Sequence, residues 1–142
     1  MAKQVTVQEA AELMKQGYKY LDVRSVPEFE AGHPEGALNI PLLHSQGGRM
    51  APNPDFQAVA QGNLPKDEKL LVGCKMGGRS SQAAAILEAS GYTNVSNVIG
   101  GYSGARDMYG KVSAAGWAES GLPTATTATP GATYSELSGK KA

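Results

Sequence analysis

The chain has 142 residues with 13 basic and 13 acidic side chains, which predicts one domain with a formal charge of zero. The balanced charge argues against a general nucleic-acid binder, because that class of protein carries a basic excess. No apolar stretch is long enough to span a bilayer, and residues 1–20 lack the basic-then-apolar pattern of a secretory signal.

Capping boxes and apolar runs predict short helices alternating with short strands. Thr6 can accept the amide of Glu9 while the Glu9 carboxylate reaches back, and Ser25 with Glu28 repeats this spacing. The predicted helices cover residues 6–17, 25–31, 55–62 and 80–90. The predicted strands cover residues 18–23, 37–40, 69–73 and 92–99.

Among the predicted strands, that of residues 69–73 shows little polar alternation, which is typical of a sheet covered on both faces. Their alternation with helices predicts an α/β fold with a mainly parallel sheet. Residues 43–54 are rich in Gly and Pro and predict a surface loop. Residues 124–142 are rich in Thr, Ala, Pro and Gly, so we expect a disordered or loosely attached tail outside a domain of residues 1–123.

The segment LLVGCKMGGRSSQ, residues 70–82, places Cys74, the single cysteine, where a strand ends and a helix begins. Ligands of parallel α/β folds bind at such junctions. One interpretation is a nucleotide-binding P-loop, because residues 73–80 almost fit G-x-x-x-x-G-K-[ST]. Arg79 stands in place of the lysine that reaches the phosphates, and no later apolar strand ends in an Asp that could hold magnesium. We therefore disfavour this interpretation.

A second interpretation is a cysteine phosphatase or arsenate reductase, whose loop has five residues between Cys and Arg. Here only four residues separate Cys74 from Arg79, so the cradle should be narrower. A phosphate would fit poorly in it, whereas a single sulfur atom would fit better. The chain also has no second cysteine to resolve an arsenate-reductase intermediate.

A third interpretation is sulfur transfer. The loop amides from Lys75 to Ser80 would point toward the Cys74 sulfur, and the following helix adds its positive dipole end. The charges of Lys75 and Arg79 act in the same direction, so the thiolate is favoured over the thiol. A thiolate can attack the outer sulfur of thiosulfate and carry it as a persulfide, without a metal or a cofactor. The alternative is that Cys74 is only a small buried hydrophobe, but its polar, Gly-rich context favours the functional interpretation.

Three blocks together resemble a rhodanese-like single-domain sulfurtransferase, similar to plant and chloroplast thiosulfate sulfurtransferases. They are LDVRSVPEFEAGHPEGALNIP at residues 21–41, VGCKMGGRS at 72–80 and VIGGYSG at 98–104. The resemblance covers about residues 4–123. It implies a five-stranded, mainly parallel sheet flanked by helices on both faces, with an active loop from Cys74 to Arg79.

The resemblance also implies site residues. Cys74 would form the persulfide, and Arg79 would bind the substrate anion or fix the loop. Family members with a basic residue after the cysteine prefer thiosulfate to 3-mercaptopyruvate, so Lys75 indicates thiosulfate. The predicted substrate-binding residues are Lys75, Met76, Gly77, Gly78 and Ser80.

Three charged residues of the first block, Asp22, Arg24 and Glu28, have two interpretations. They could form an electrostatic layer behind the active loop, or an internal ion pair and a helix cap that hold the fold. We favour the second. A metal site needs three or four convergent ligands, so His33 and His44 are predicted to be non-ligands, and His33 to order the turn after it by hydrogen bonds.

The sequence departs from the family pattern after Gly100-Gly101. Family members place an aromatic residue a few positions later, whereas here residues 103–106 read SGAR and Trp117 comes further on. The intervening residues 107–116, DMYGKVSAAG, look like an insertion that could form an extra helical turn near the site.

The expected partners are thiosulfate and a cyanide or thiol acceptor, with glutathione, thioredoxin or another sulfur-accepting protein all open. A persulfide-carrier or docking module of the same fold is the alternative function. We expect a monomer without nucleic-acid or membrane partners. A single cysteine cannot form an internal disulfide, so a reducing compartment is expected: the cytoplasm, or the plastid stroma if a transit peptide has been removed.

Overall fold

The computed structural model describes residues 2–142, in which eleven short strands and five helices form. In chain order these elements are β1 (Lys3–Val5), α1 (Val7–Lys15), β2 (Lys19–Asp22), α2 (Val26–Ala31), β3 (His33–Pro34), β4 (Leu38–Asn39), β5 (Leu43–Gln46), β6 (Arg49–Pro52), α3 (Phe56–Asn63), β7 (Leu70–Gly73), α4 (Gly78–Ala89), β8 (Val95–Val98), β9 (Ala105–Arg106), β10 (Val112–Ala114), β11 (Thr124–Ala125) and α5 (Tyr134–Leu137).

The central sheet has five parallel strands in the order β1-β8-β7-β2-β4, which confirms the predicted architecture. Asp22 pairs with Gly73 on one side and with Asn39 on the other. The carboxyl ends of the three strands β2, β7 and β4 therefore lie side by side, and Cys74 follows directly beyond this edge. The edge strand β1 was not predicted, because only three residues form it.

Two apolar clusters cover the two faces of the sheet. Leu21 and Val72 belong to one cluster with side chains of α3 and α4. Tyr20 and Leu71 belong to the other with side chains of α1 and α2. Since neighbouring strand residues point to opposite faces, each short strand contributes to both clusters. The sheet is therefore buried on both faces, as its continuous apolar sequence predicts.

The capping boxes predicted local structure correctly. The Thr6 hydroxyl accepts from the Glu9 amide at 3.1 Å, and the Glu9 carboxylate accepts from the Thr6 amide at 2.9 Å. The Glu28 carboxylate accepts from both the amide and the hydroxyl of Ser25. Helix α4 begins at Gly78 rather than at Ser80, because Gly77 takes the N-cap position with a positive φ of 113°.

The predicted surface loop over residues 43–54 is wrong. Its residues form an antiparallel hairpin of β5 and β6, in which Gln46 pairs with Arg49. The turn consists of Gly47 and Gly48, both at positive φ, and this pair of conformations matches the twist of the flanking strands. The same glycines that suggested an irregular loop therefore close a regular turn.

The tail of residues 124–142, expected to be disordered or loosely attached, packs against the domain. Strand β11 pairs with β3, and the backbone amide of Asn39 donates to the Ala132 carbonyl at 2.9 Å. Ala132 and Leu137 are buried. Composition predicted disorder because most tail residues are small or polar, yet these two apolar side chains and the backbone pairing attach it. The domain boundary near residue 123 stays a prediction.

The insertion, together with Ala105 and Arg106 before it, forms a β-hairpin instead of a helical turn. Strands β9 and β10 pair antiparallel, and the ends of the hairpin meet where Gly104 lies against Gly116. The Trp117 amide then donates to the Gly101 carbonyl at 2.8 Å. Trp117 therefore returns to the double glycine in space, although the insertion separates the two in sequence. Among residues 2–142, no helix has both the length and the apolar character needed to cross a membrane.

Candidate active site

Cys74 lies directly after β7, with 2% of its surface exposed. Its Sγ atom accepts a hydrogen bond from the Gly77 amide at 3.0 Å. It also lies 3.4 Å from the Oγ atom of Ser80, a fully buried residue whose hydroxyl donates to the Gly77 carbonyl at 3.1 Å. The loop therefore folds back over its own cysteine and supplies polar partners to the sulfur.

The predicted ring of amides around the sulfur is incomplete. Among residues 2–142, the Gly77 amide is the one loop amide that donates to Sγ. The amides of Gly78, Arg79 and Ser80 are the first three of α4, and such groups have no carbonyl of their own helix to bond. They remain at the helix end where an anion is stabilised. Met76 is half exposed at the tip of the loop.

Tyr20 packs against Gly73, the residue directly before the cysteine. A Cβ atom at Gly73 would lie 1.9 Å from the Tyr20 hydroxyl oxygen, so only glycine allows this packing. The ring of Tyr20 meets the ring of Trp117 edge to face, with 5.6 Å between centroids. Burial, with the nearby Asp22 charge, raises the pKa of Tyr20 well above its usual value, so the phenol stays neutral. Sequence reasoning missed Tyr20, because its contact with Gly73 joins two separate strands.

The segment after Gly100 fixes the start of the loop through its backbone. The Tyr102 amide donates to the Cys74 carbonyl at 2.8 Å, and the Ser103 amide donates to the Lys75 carbonyl at 2.9 Å. Gly101 has a φ of 58°, and a Cβ atom there would lie 2.4 Å from the Cys74 carbonyl oxygen. The VIGGYSG block therefore holds the first residues of the Cys74 loop in place through its backbone. The sequence identified this block as part of the family resemblance, but it assigned no site role to the residues of the block.

Arg79 forms a bidentate ion pair with Glu28, in which Nη1 and Nη2 donate to the two carboxylate oxygens at 2.7 and 3.0 Å. Burial opposes the charge on Glu28, but the bonds from Arg79 and Ser25 prevail and lower its pKa to about 2. The same pairing raises the pKa of Arg79. Arg79 therefore ties the first turn of α4 to the first turn of α2, which fits the loop-fixing alternative for this residue.

Asp22 and Arg24 form a second, fully buried ion pair. The Arg24 Nη2 atom lies 2.7 Å from an Asp22 carboxylate oxygen and donates to the Gly32 carbonyl at 2.7 Å. The guanidinium also lies over the Tyr102 ring, 4.4 Å from its centroid. Burial opposes the charge on Arg24, but the bonds to Asp22 outweigh it and raise its pKa. These contacts fit the internal ion pair favoured from the sequence.

A cleft of about 210 Å³ opens beside the loop. It is lined by Arg24, Glu28, Ala31, Gly32, Lys75, Tyr102 and Ser103. Lys75 is exposed and forms no ion pair within residues 2–142, so its ammonium group is free to meet an anion. The cleft therefore offers a cationic side chain from the residue that follows the cysteine, while Cys74 itself does not line the cleft. No group of three metal-ligating side chains converges within residues 2–142.

Comparisons with known proteins agree with this geometry. A protein-family model described as Rhodanese-like domain matches residues 6–107. Thiosulfate sulfurtransferase 16, chloroplastic, of Arabidopsis thaliana is 38% identical over 120 residues, which cover 84% of this chain and 90% of that protein. The human protein named thiosulfate:glutathione sulfurtransferase is 38% identical over 104 residues, which cover 71% of this chain and 90% of that protein.

Other curated relatives are longer: the chain spans 54% of two of them, from Raphanus sativus and Arabidopsis thaliana. Among solved structures, the M. tuberculosis protein Rv0390 is similar with a TM-score of 0.74 and 27% sequence identity. The match covers 89% of this chain and 98% of that chain. The similarity therefore extends over nearly the whole fold described above.

Proposed function

The chain belongs to the rhodanese-like domain family, and from that premise we propose that it is a sulfurtransferase that moves the outer sulfur of thiosulfate to a cyanide or thiol acceptor through a persulfide on Cys74. The observation that carries the proposal is the position of Cys74. Its sulfur accepts the Gly77 amide at 3.0 Å, at the start of α4 and beside the cationic cleft. Relatives named thiosulfate sulfurtransferases support the reaction type.

The reaction has two steps. The Cys74 thiolate attacks the outer sulfur of thiosulfate and forms a new S–S bond, while the S–S bond of thiosulfate breaks and sulfite leaves with the electron pair. The persulfide then carries one extra sulfur, which the free amides of residues 78–80 can stabilise as an anion. The acceptor attacks that outer sulfur and restores the thiolate. Cyanide becomes thiocyanate, and a thiol becomes a persulfide.

Ser80 can follow the ionisation of the cysteine. In the neutral form the thiol donates to Ser80 Oγ, while the Ser80 hydroxyl donates to the Gly77 carbonyl. After the thiol loses its proton, the Ser80 hydroxyl can rotate and donate to the sulfur instead. Such a bond to a charged acceptor is stronger than one between neutral groups. We therefore propose that the Ser80 hydroxyl stabilises the Cys74 thiolate by donating this hydrogen bond.

Lys75 is proposed to recruit the substrate. Its exposed ammonium group lines the cleft beside Cys74 and can pair with the sulfonate end of thiosulfate. Arg24 lines the same cleft, but its charge is already shared with Asp22. The exposed charge of Lys75, which has no ion-pair partner within residues 2–142, is thus the better match for an anion that must enter and leave.

Turnover of thiosulfate and cyanide to thiocyanate by the wild type and by Cys74→Ser tests the proposal. We expect the variant to fall to the uncatalysed rate with an unchanged circular dichroism spectrum, since oxygen replaces sulfur without a large change in shape. Turnover near the wild-type rate would contradict the nucleophile assignment. Slow turnover with cyanide but rapid transfer to glutathione or thioredoxin would favour the persulfide-carrier function. Hydrolysis of an aryl phosphate would favour a phosphatase.

We also propose that the protein works in a reducing compartment, with the plastid stroma as the first candidate. The chloroplast location in the name of one relative and the single cysteine support this assignment. A fluorescent fusion of the full gene product, expressed in its own organism, would locate it. Accumulation in an oxidising compartment would contradict the assignment.

A further inference from the structure

The tail packs on the face of α2 that points away from the cleft beside the cysteine loop. Glu28 and Ala31 of α2 line that cleft, whereas Val26 and Glu30 line a separate cavity whose outer wall comes from residues 126–135. Successive residues of an α-helix turn by about 100°, so these two pairs lie on opposite faces. Any influence of the tail on the cysteine therefore passes behind α2, through the sheet.

A backbone hydrogen bond attaches the tail to the edge strand β4. The backbone amide of Asn39 donates to the Ala132 carbonyl at 2.9 Å, and Ala132 is buried. Leu137 then joins the apolar cluster that also contains Cys74. The family model ends at residue 107, so the tail lies outside the region that the model matches. A segment beyond that region therefore holds the end of β4.

The side chain of Asn39 holds the end of the neighbouring strand β2. Asn39 is buried, and its Nδ2 atom donates to the carbonyls of Asp22 and Arg24 at 3.0 Å each. These two bonds use both hydrogens of the amide nitrogen. Between the two carbonyls, the Val23 amide donates to the Gly73 carbonyl at 2.9 Å. Asn39 therefore fixes the backbone on both sides of the amide that holds the residue directly before the cysteine.

A second route leads from Arg24 to the cysteine. The Arg24 guanidinium, held by Asp22, lies over the Tyr102 ring, 4.4 Å from its centroid. The Tyr102 amide in turn donates to the Cys74 carbonyl at 2.8 Å. The peptide groups on both sides of Cys74 are thus held by partners that Asn39 positions.

The sulfur depends on this placement, because its polar partner comes from the loop itself. The Gly77 amide donates to Sγ of Cys74 at 3.0 Å, and a hydrogen bond weakens steeply when its geometry departs from the ideal. A misplacement of about 1 Å can cost about 10²-fold in rate. Chains of hydrogen bonds can transmit such a shift over several residues. A small movement of the Cys74 backbone should therefore lower the rate of the chemical step.

We propose that Asn39 is a positioning residue for Cys74, and that the tail holds Asn39 in place through the Ala132 carbonyl. The effect on rate rests on the proposed sulfur transfer, whereas the effect on the position of the loop does not. Because Asn39 is buried, it acts through the backbone rather than on the substrate. Its replacement should therefore change kcat more than the KM for thiosulfate, since the exposed Lys75 recruits that anion.

Two variants disturb this chain of contacts at different points. Asn39→Asp removes the donor with little change in shape. Ala132→Asp puts a charge at a buried position, which detaches the tail but leaves the Asn39 side chain intact. Leu64→Ala is the control for lost stability, because Leu64 is buried beside Tyr92, near the amino ends of the strands. Thr127→Asp adds the same charge at an exposed position of the tail.

Steady-state kinetics with thiosulfate and cyanide, at a temperature where every variant is folded, measure the effect. We expect kcat to fall about tenfold in Asn39→Asp and about threefold in Ala132→Asp, with the KM for thiosulfate within about twofold of the wild type. Both controls should keep kcat within about twofold. Wild-type kcat in a folded Asn39→Asp variant, or an equal fall in Leu64→Ala, would overturn the proposal. If Asn39→Asp does not fold, Ala132→Asp decides by the same criterion.

NMR of the ¹⁵N-labelled full chain tests the positioning role without turnover. We expect the amide resonances of residues 73–77 to shift in Asn39→Asp and in Ala132→Asp, and to stay in place in Leu64→Ala. If the wild type transfers no sulfur but these shifts appear, the proposed function fails and the positioning role stands. Unshifted resonances of residues 73–77 in the folded Asn39→Asp and Ala132→Asp variants would overturn that role.

Discussion

The two sides of α2 treat buried polar groups differently. On the side of the Cys74 loop, the guanidinium groups of Arg24 and Arg79 each lie against a carboxylate. On the side of the tail, His33 Nε2 and Asn39 Oδ1 have no partner within the described residues 2–142. An unsatisfied buried polar group costs about 1–3 kcal/mol. The paired side can therefore hold a fixed geometry around the Cys74 loop, whereas the unpaired side carries the cost of its unmade hydrogen bonds within the described residues.

Asn39 connects the two sides of α2, and its replacement should cause the largest loss of stability. In Asn39→Asp, carboxylate oxygens replace the amide that donates to the carbonyls of Asp22 and Arg24. We expect a loss of about 2–4 kcal/mol in the free energy of unfolding, because two buried carbonyls lose their donor and face a negative group. Urea denaturation would measure this loss. A change below about 1 kcal/mol would mean that the amide does not link the two sides.

Arg79→Met tests the paired side alone. The variant leaves the partly buried Glu28 carboxylate without its cation, so we expect about 1–3 kcal/mol of destabilisation and a clear loss of sulfur transfer as the loop loses its anchor. Arg106→Met is the matched control. Its pair with Glu119 has both side chains more than a third exposed, so its removal should cost about 0–1 kcal/mol. Equal losses in stability and activity from the two variants would show that the Arg79 pair has no special role.

Acid should weaken the Arg79–Glu28 ion pair over a defined range of pH. The folded-state pKa of Glu28 is about 2 against an ordinary 4.5, so the pair stabilises fully above 4.5. That stability is lost as the pH falls from about 4.5 toward about 2, as Glu28 becomes protonated. We expect about 1–2 kcal/mol from this pair, once solvent screening is allowed for. Unfolding free energies measured across this range should fall less steeply in Arg79→Met, and identical slopes would contradict this origin.

Lys75→Ala should have the smallest effect, because the exposed ammonium group recruits substrate without holding the fold. We expect the KM for thiosulfate to rise about 2–5-fold, in line with a screened surface charge, and the increase to diminish at high salt. The midpoint of thermal unfolding should barely change. An equal rise in the KM for 3-mercaptopyruvate would mean that Lys75 does not select between the two substrates.

The fold was predictable where local sequence determines structure. The capping box at Thr6 and the apolar run before Cys74 act over a few residues, so both were identified correctly. The hairpin of residues 43–52 was missed, because its glycines indicate a turn only once the partner strand is known. The pairing of β9 with β10 and the packing of the tail also depend on contacts that composition does not encode.

The site was predictable in part for the same reason. Cys74 and its loop lie in one continuous segment, so the sequence places them together. Tyr20 and Tyr102 come from other strands and loops, and they reach the site through tertiary packing alone. The orphaned atoms of His33 and Asn39 were equally hidden, since only the folded structure reveals which atoms lack partners.

The central claim is that Cys74 carries sulfur, and the mass of the intact protein after incubation with thiosulfate tests it most directly. We predict a gain of one sulfur atom located on Cys74, removed by cyanide with the release of thiocyanate. Cys74→Ser should show no gain under the same conditions. A reduced and folded wild-type protein that gains no sulfur would contradict the account.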